Sequence, residues 1–207
     1  MNRSRVVTML RAAGFTAMAV AATSGGLTAI DLEVTVEDME AVLTTARGTE
    51  AVRAAFHAPY LFSAPDPSIE RIEVITERRR LALLAETHIA QGDPFFARGT
   101  LEAERELRPF RRQVSIVVRF RFSPMNSYNM APPIDISLLD APVPRLEMKG
   151  DTVFAMGAPR RGPAPVYGAV GEAVYEAAAI GQTTRTVAIR LGDQEVARLK
   201  VDFSRLD

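Results

Sequence analysis

From Val114 onward, apolar and polar residues alternate with a period of two. Val114, Ile116, Val118, Phe120 and Phe122 alternate with Ser115, Val117, Arg119, Arg121 and Ser123, as in a strand with one buried face. Ile134, Ile136 and Leu138 repeat this pattern around Asp135 and Ser137. Near the end, Val187, Ile189 and Leu191 run into Gly192-Asp193. Ala197, Leu199, Val201 and Phe203 follow, alternating with Arg198, Lys200 and Asp202. A Gly-Asp pair between two alternating runs predicts a tight hairpin. Residues 170–178 predict a weaker strand. The proline-containing stretch 150–168 reads as an exposed loop with one short strand near Val153-Phe154.

Before residue 114 the period is helical. Thr35 precedes Val36-Glu37-Asp38, a capping-box start, and Met39, Val42, Leu43 and Ala46 recur on one helix face. Thr49 predicts a second N-cap, with Ala51, Val52, Ala55 and Phe56 on one face and Pro59 as the stop. Leu81, Leu84, Ala85, His88 and Ile89 predict a helix over 77–91, ended by Gly92-Asp93-Pro94. A short helix fits 101–107. Residues 69–75 fit either a strand or the beginning of the long helix, and the sequence leaves both open.

Helices first and strands second predict an α+β fold, with N-terminal helices followed by an antiparallel β-sandwich-like domain. Residues 30–112 form the helical region packed on the sheet, and 113–207 form the β domain.

The first 29 residues predict a signal peptide. Arg3, Arg5 and Arg11 precede an uncharged run over Ala12–Ala22, and small residues follow. The run is shorter than the roughly 20 apolar residues a membrane span needs, so the mature chain is expected to have no transmembrane span. The expected location is periplasmic or extracellular, with cleavage after Ala22 or Ala29.

Composition narrows the chemistry. The chain has 25 basic and 25 acidic residues, interspersed rather than clustered, which argues against a nucleic-acid partner. There is no cysteine, which excludes disulfides, thiolate nucleophiles and iron–sulfur clusters. No G-x-S-x-G, phosphate loop or paired-histidine metal motif occurs, so no catalytic residue, metal or cofactor is assigned. His57 and His88 lie 31 residues apart. With carboxylates such as Glu86 or Asp93 they define an alternative, a hydrolase-like secreted enzyme. A periplasmic small-molecule carrier is a third reading. Glu70/Glu73 and Glu102/Glu106 read as solvated ion-pair partners of nearby arginines. The triplet Arg78-Arg79-Arg80 opposes the dipole of a helix starting there, so it implies an earlier helix start or tertiary pairing with an acid such as Glu73.

Ser123–Pro133 (SPMNSYNMAPP) has an unusual texture for a loop between two strands. Met125, Asn126, Tyr128 and Met130 are the candidate binding residues, because Met and Tyr adapt well to partner surfaces. The competing reading folds these apolar groups onto the sheet ends. The leading expectation is an exported, non-enzymatic binding or assembly module with an unknown envelope or extracellular partner.

Several segments carry a resemblance. Phe56–Tyr60, Glu73–Glu77 with Arg79-Arg80, Leu107–Arg111, Asn126 with Tyr128, Pro132-Pro133 and Val201–Phe203 resemble a family of uncharacterised exported bacterial proteins, over roughly residues 35–207. The resemblance implies export and a single compact unit, and it carries no activity.

Overall fold

Thr35 and Asp38 close the predicted capping box. The Thr35 hydroxyl accepts from the Asp38 amide at 3.1 Å, and the Asp38 carboxylate accepts from the Thr35 amide at 3.1 Å. Helix α1, Val36–Ala46, then buries Met39, Val42, Leu43 and Ala46, the expected stripe. The computed structural model describes residues 34–93, 96, 99–140, 142–154 and 166–206. The segment read as a signal peptide lies outside these residues.

Thr49 caps α2, Glu50–His57, as expected. Its apolar face is less covered than the spacing predicts. No residue of α2 is fully buried, Val52 is 47% exposed, and Phe56 alone packs partly against both cores. Thr76 caps α3, Glu77–Ala90, and α4 spans Thr100–Leu107. Leu81, Ala82 and Ala85 of α3 meet the α1 stripe, Ala103 and Leu107 of α4, and Phe96 in a helical core. Leu81 is fully buried, and truncation to alanine at such a site costs about 2–5 kcal/mol. The α3 stripe fades toward its C-terminus, where Ile89 is exposed.

Eight antiparallel strands occur among the described residues: β1 Leu61–Phe62, β2 Ile69–Ile75, β3 Gln113–Arg121, β4 Ile134–Leu138, β5 Arg145–Phe154, β6 Val166–Glu176, β7 Thr184–Leu191 and β8 Gln194–Asp202. They form a five-stranded sheet ordered β1-β2-β3-β6-β5 and a three-stranded sheet ordered β4-β7-β8. A one-turn helix, α5 (Ala177–Ile180), follows β6. The architecture is α+β.

Residues 69–75 are a strand. Ile72 lies opposite Val118 and Val74 opposite Ile116, and both β2 side chains are fully buried. The region 30–112, expected to be helical, therefore also supplies two strands, β1 and β2, to the larger sheet.

The reading of 150–168 as a loop with one short strand near Val153-Phe154 is corrected at its two ends: Val153-Phe154 are strand, but as the end of a ten-residue one. β5 extends to Phe154 and β6 begins at Val166, while 155–165 lie outside the described residues. β5 is an edge strand with one wet face and one that is only partly covered, at Met148 and Thr152, so it lacks the apolar alternation that marks a half-buried strand.

One apolar core joins the two sheets. Ile72, Val74, Ile116, Val118 and Ala173 of the larger sheet cluster with Ile136, Val187, Ile189 and Val201 of the smaller. The Tyr175 hydroxyl crosses this core and donates to the Ile136 carbonyl at 2.7 Å. Burial pushes its pKa up to about 12, so it stays a neutral donor. Gly171 lets the sheets approach closely, because a Cβ there would sit 2.6 Å from Ile134 Cγ2. The terminal hairpin stands where predicted, with an irregularity between Ile189 and Arg190, Leu199 only half-buried and Phe203 in the turn after β8: Gly192, at φ +60°, opens the two-residue turn that joins Leu191 to Gln194. Val187, Ile189, Ala197 and Val201 are buried, while Arg198 and Lys200 face water.

β3 departs from a single buried face. Ser115 and Val117 are also buried, under a helical layer whose Arg80 donates to the Ser115 hydroxyl at 2.7 Å. Alternation resumes at Arg119.

Candidate functional site

The loop 123–133 is built around Asn126. Its Nδ2 donates to the carbonyls of Ser123 at 2.6 Å and Val166 at 2.9 Å, and its Oδ1 accepts from the Tyr128 amide at 2.9 Å. The Ser123 hydroxyl accepts from the Met125 amide at 3.2 Å, and the Ser123 carbonyl accepts from the Asn126 amide at 3.0 Å. At the far end the Ala131 amide donates to Thr152 Oγ1 at 3.3 Å. The Pro133 carbonyl accepts from the Gly192 amide at 2.7 Å. The loop is thus pinned to the start of β6, the end of β5 and the β7–β8 turn.

The predicted residues take different roles. Tyr128 packs edge-on against Phe122, with ring centroids 5.1 Å apart, and remains 40% exposed. Phe122 belongs to the inter-sheet core, so Tyr128 is anchored from below. Met125 and Met130 are 92% and 74% exposed and belong to neither core cluster. Asn126 is the scaffold. Self-packing of the loop accounts for Tyr128 in part and for neither methionine.

The sequence reading missed the neighbours of this loop. Val153, Phe154 and Tyr167 are exposed at the ends of β5 and β6, where Asn126 and Ala131 dock. Arg121 lies over the Tyr167 ring at 5.4 Å. Six of the thirteen exposed large apolar side chains among the described residues therefore fall on this loop and these strand ends. Exposed apolar side chains gathered on a pinned loop and on the strand ends it docks on make this end of the sheets a candidate interaction surface.

A second polar constellation is buried between α3 and the larger sheet. Arg79 Nη2 meets Glu73 Oε2 at 2.7 Å, and Arg79 Nη1 donates to the carbonyls of Val74 at 2.7 Å and Tyr60 at 3.2 Å. Arg71 and Arg119 contact the other Glu73 oxygen at 2.8 and 3.3 Å. Burial pulls the Arg79 pKa below its usual value, and the Glu73 charge opposes that shift. Glu73 is 5% exposed and so is not the solvated ion-pair partner the spacing suggests. The basic triplet instead finds the tertiary pairing that the sequence offered as one explanation. With three arginines on it, Glu73 serves as a buried structural counter-ion.

Each histidine meets a carboxylate, but the two do not converge. His57 Nε2 lies 2.9 Å from Glu86 Oε1. His88 lies between Asp93, 2.8 Å from Nδ1, and Glu106, 3.0 Å from Nε2, with its ring stacked on Phe96. Two acceptors on two ring nitrogens favour the imidazolium. The Glu106 hydrogen bond is the main cause that raises the His88 pKa; burial opposes it and Asp93 adds to it. Among the described residues no cluster of three or more His, Cys, Asp or Glu side chains has the arrangement of a metal centre.

A shallow groove of about 260 Å³ lies on the outer face of the larger sheet. Arg80, Arg119, Lys149, Asp151 and Glu172 line it over Val117 and Val170. Its mixed charges largely neutralise one another. Among the described residues no helix is long and apolar enough to cross a membrane. Comparison with protein-family models, curated proteins and solved structures gave no match.

Proposed function

We propose that this chain is an exported, non-enzymatic module of β-sandwich type that binds or assembles with a partner in the bacterial envelope. The observation that carries this reading is the apolar end of the sheets, where Met125, Tyr128 and Met130 stand beside Phe154 and Tyr167 on a hydrogen-bonded platform. Aromatic and methionine side chains on a pinned loop offer contact area at small entropic cost. The single core shared by both sheets supports the sandwich reading. The basic, apolar, small-residue order of residues 1–29 supports export.

A secreted hydrolase-like enzyme is the second reading, favoured by the His57–Glu86 and His88–Asp93 contacts. It is the weaker one. Both His88 nitrogens are engaged by carboxylates, and no Ser or Thr hydroxyl hydrogen-bonds to either ring among the described residues. Nucleophilic catalysis needs such a hydroxyl within reach of its base.

Fractionation of the native host tests the proposal. Chain recovered from the envelope or medium, with its N-terminus between Ala22 and Asp31 and an envelope component co-purifying, is the expected result. Soluble cytoplasmic protein retaining Met1 would overturn it. Hydrolysis of simple esters or peptides that is lost in His57→Asn would favour the enzyme.

A further inference from the structure

The two edges of the five-stranded sheet are unlike. β1 closes one edge with two residues, whereas β5 runs ten residues along the other, and no strand among the described residues pairs with its outer side. A long edge strand is a template for another strand unless something blunts it. β5 carries Glu147, Lys149 and Asp151 on one face, together with exposed Leu146, Val153 and Phe154.

We infer that β5 pairs antiparallel with β5 of a second copy, about a two-fold axis through Gly150, joining the two larger sheets into one continuous sheet. This goes beyond the binding role proposed above: it concerns the free edge of β5, which adjoins that surface at Val153 and Phe154, and commits to a second copy of the chain as occupant.

Three observations fix the register. First, the β5–β6 ladder is regular from Glu147 to Val153 and irregular at both ends, and Gly150 is the midpoint of that regular segment. A two-fold pairing of antiparallel strands sets one residue opposite its own copy, so only the Gly150 register pairs the whole segment.

Second, this register places Lys149 opposite the partner's Asp151, and Asp151 opposite the partner's Lys149, on the same face. Opposite charges directly across an antiparallel pair are favourable and like charges are not. Centring on Lys149 or Asp151 sets like charges against each other. Centring on Met148 also opposes unlike charges, Glu147 with Lys149, but within the regular segment it pairs only residues 147–149, and centring on Thr152 pairs only 151–153. Asp151 has no ion pair among the described residues, and Lys149 has only an exposed one with Glu147 at 2.8 Å on its own strand. Such exposed pairs are weak and exchange easily.

Third, the axis is open. A Cβ on Gly150 would meet nothing within 4 Å. The edge strand β8 differs: it carries Arg198 and Lys200 at alternate positions, so self-pairing centred on residues 198–200 would oppose like charges. A pairing of this kind is isologous, each subunit offering the same strand.

The test uses the full chain, whose lack of cysteine makes single introduced thiols unambiguous. Sedimentation velocity from about 1 to about 100 μM, a range that brackets modest affinities, should show a monomer–dimer equilibrium. Gly150→Cys should form a disulfide-linked dimer under mild oxidation, because directly opposed Cα atoms in antiparallel pairs lie within disulfide reach. Met148→Cys, which would face the partner's Thr152, should not. Lys149→Asp should weaken dimerisation at least tenfold, and Lys149→Asp with Asp151→Lys should restore it. The side chains changed in that swap are exposed, so the melting temperature of the dilute, monomeric chain should hold throughout. A monomer across the whole range, a dimer cross-linked by Met148→Cys but not Gly150→Cys, or a dimer indifferent to Lys149→Asp would each overturn the inference.

Discussion

Asn126 donates its side-chain amide to the carbonyl of Val166 at 2.9 Å, and this bond ties the 123–133 loop to the first residue of β6. The same side chain accepts from Tyr128, so one residue sets both the position of the loop and the orientation of its aromatic contact. Asn126→Ala removes three hydrogen bonds and should cost about 1–2 kcal/mol by denaturant melting. Asn126→Asp keeps the acceptor for the Tyr128 amide but loses both donated bonds. Hydrogen exchange at the Tyr128 amide should therefore quicken strongly in the alanine variant and less in the aspartate variant. Equal exchange in both would show that the loop is held by other contacts.

The buried Glu73–Arg79 pair makes a contrasting prediction on stability. Glu73→Ala leaves Arg79, 2% exposed, without its counter-ion, and breaking a buried pair in this way costs about 3–5 kcal/mol. Glu70, exposed on the same strand, should tolerate alanine within about 0.5 kcal/mol. Urea midpoints for the two variants check this, and similar losses would contradict the buried role of Glu73.

His88 links stability to pH. Its folded-state pKa is raised, chiefly by Glu106, so the charged form is favoured on folding. That stabilisation is complete below the unfolded value of about 6.5 and is lost as pH rises through the elevated folded value. Thermal melting from pH 6 upward should show a decline that flattens in His88→Ala. The contact joins the end of α3 to α4 through Glu106 and to the following turn through Asp93, so the decline should be local to the helical core. An identical pH profile in variant and parent would remove His88 from the account.

The legible parts of the fold were those with one wet face. β4, β8 and the end of β3 beyond Val118 alternate because water lies on one side and the inter-sheet core on the other. The Gly192 turn and the Thr35 cap were legible because their chemistry is local. β5 was hidden because one of its faces is wet and the other is covered only at Met148 and Thr152, which removes the alternation. The burial of Glu73 was hidden because its partners Arg79 and Arg119 lie 6 and 46 residues away, across a strand–helix junction and a neighbouring strand. The 69–75 segment fitted two periods, and only its pairing with β3 decides between them. At the candidate site the loop residues stood out by texture. Val153, Phe154 and Tyr167 did not, because only the β5–β6 pairing brings their strand ends to the loop.

The apolar end of the sheets as a docking surface is most directly tested by one double variant, Tyr128→Ala with Met130→Ala. Retention of a native envelope component by the full chain and the melting temperature should be measured on the same preparations. Met130 is 74% exposed and Tyr128 rests on Phe122 by one edge, so the fold should lose little. The docking account predicts binding at least tenfold weaker, about 1.4 kcal/mol, with a nearly unchanged melting temperature. A clear fall in melting temperature with binding intact in the folded protein would contradict it.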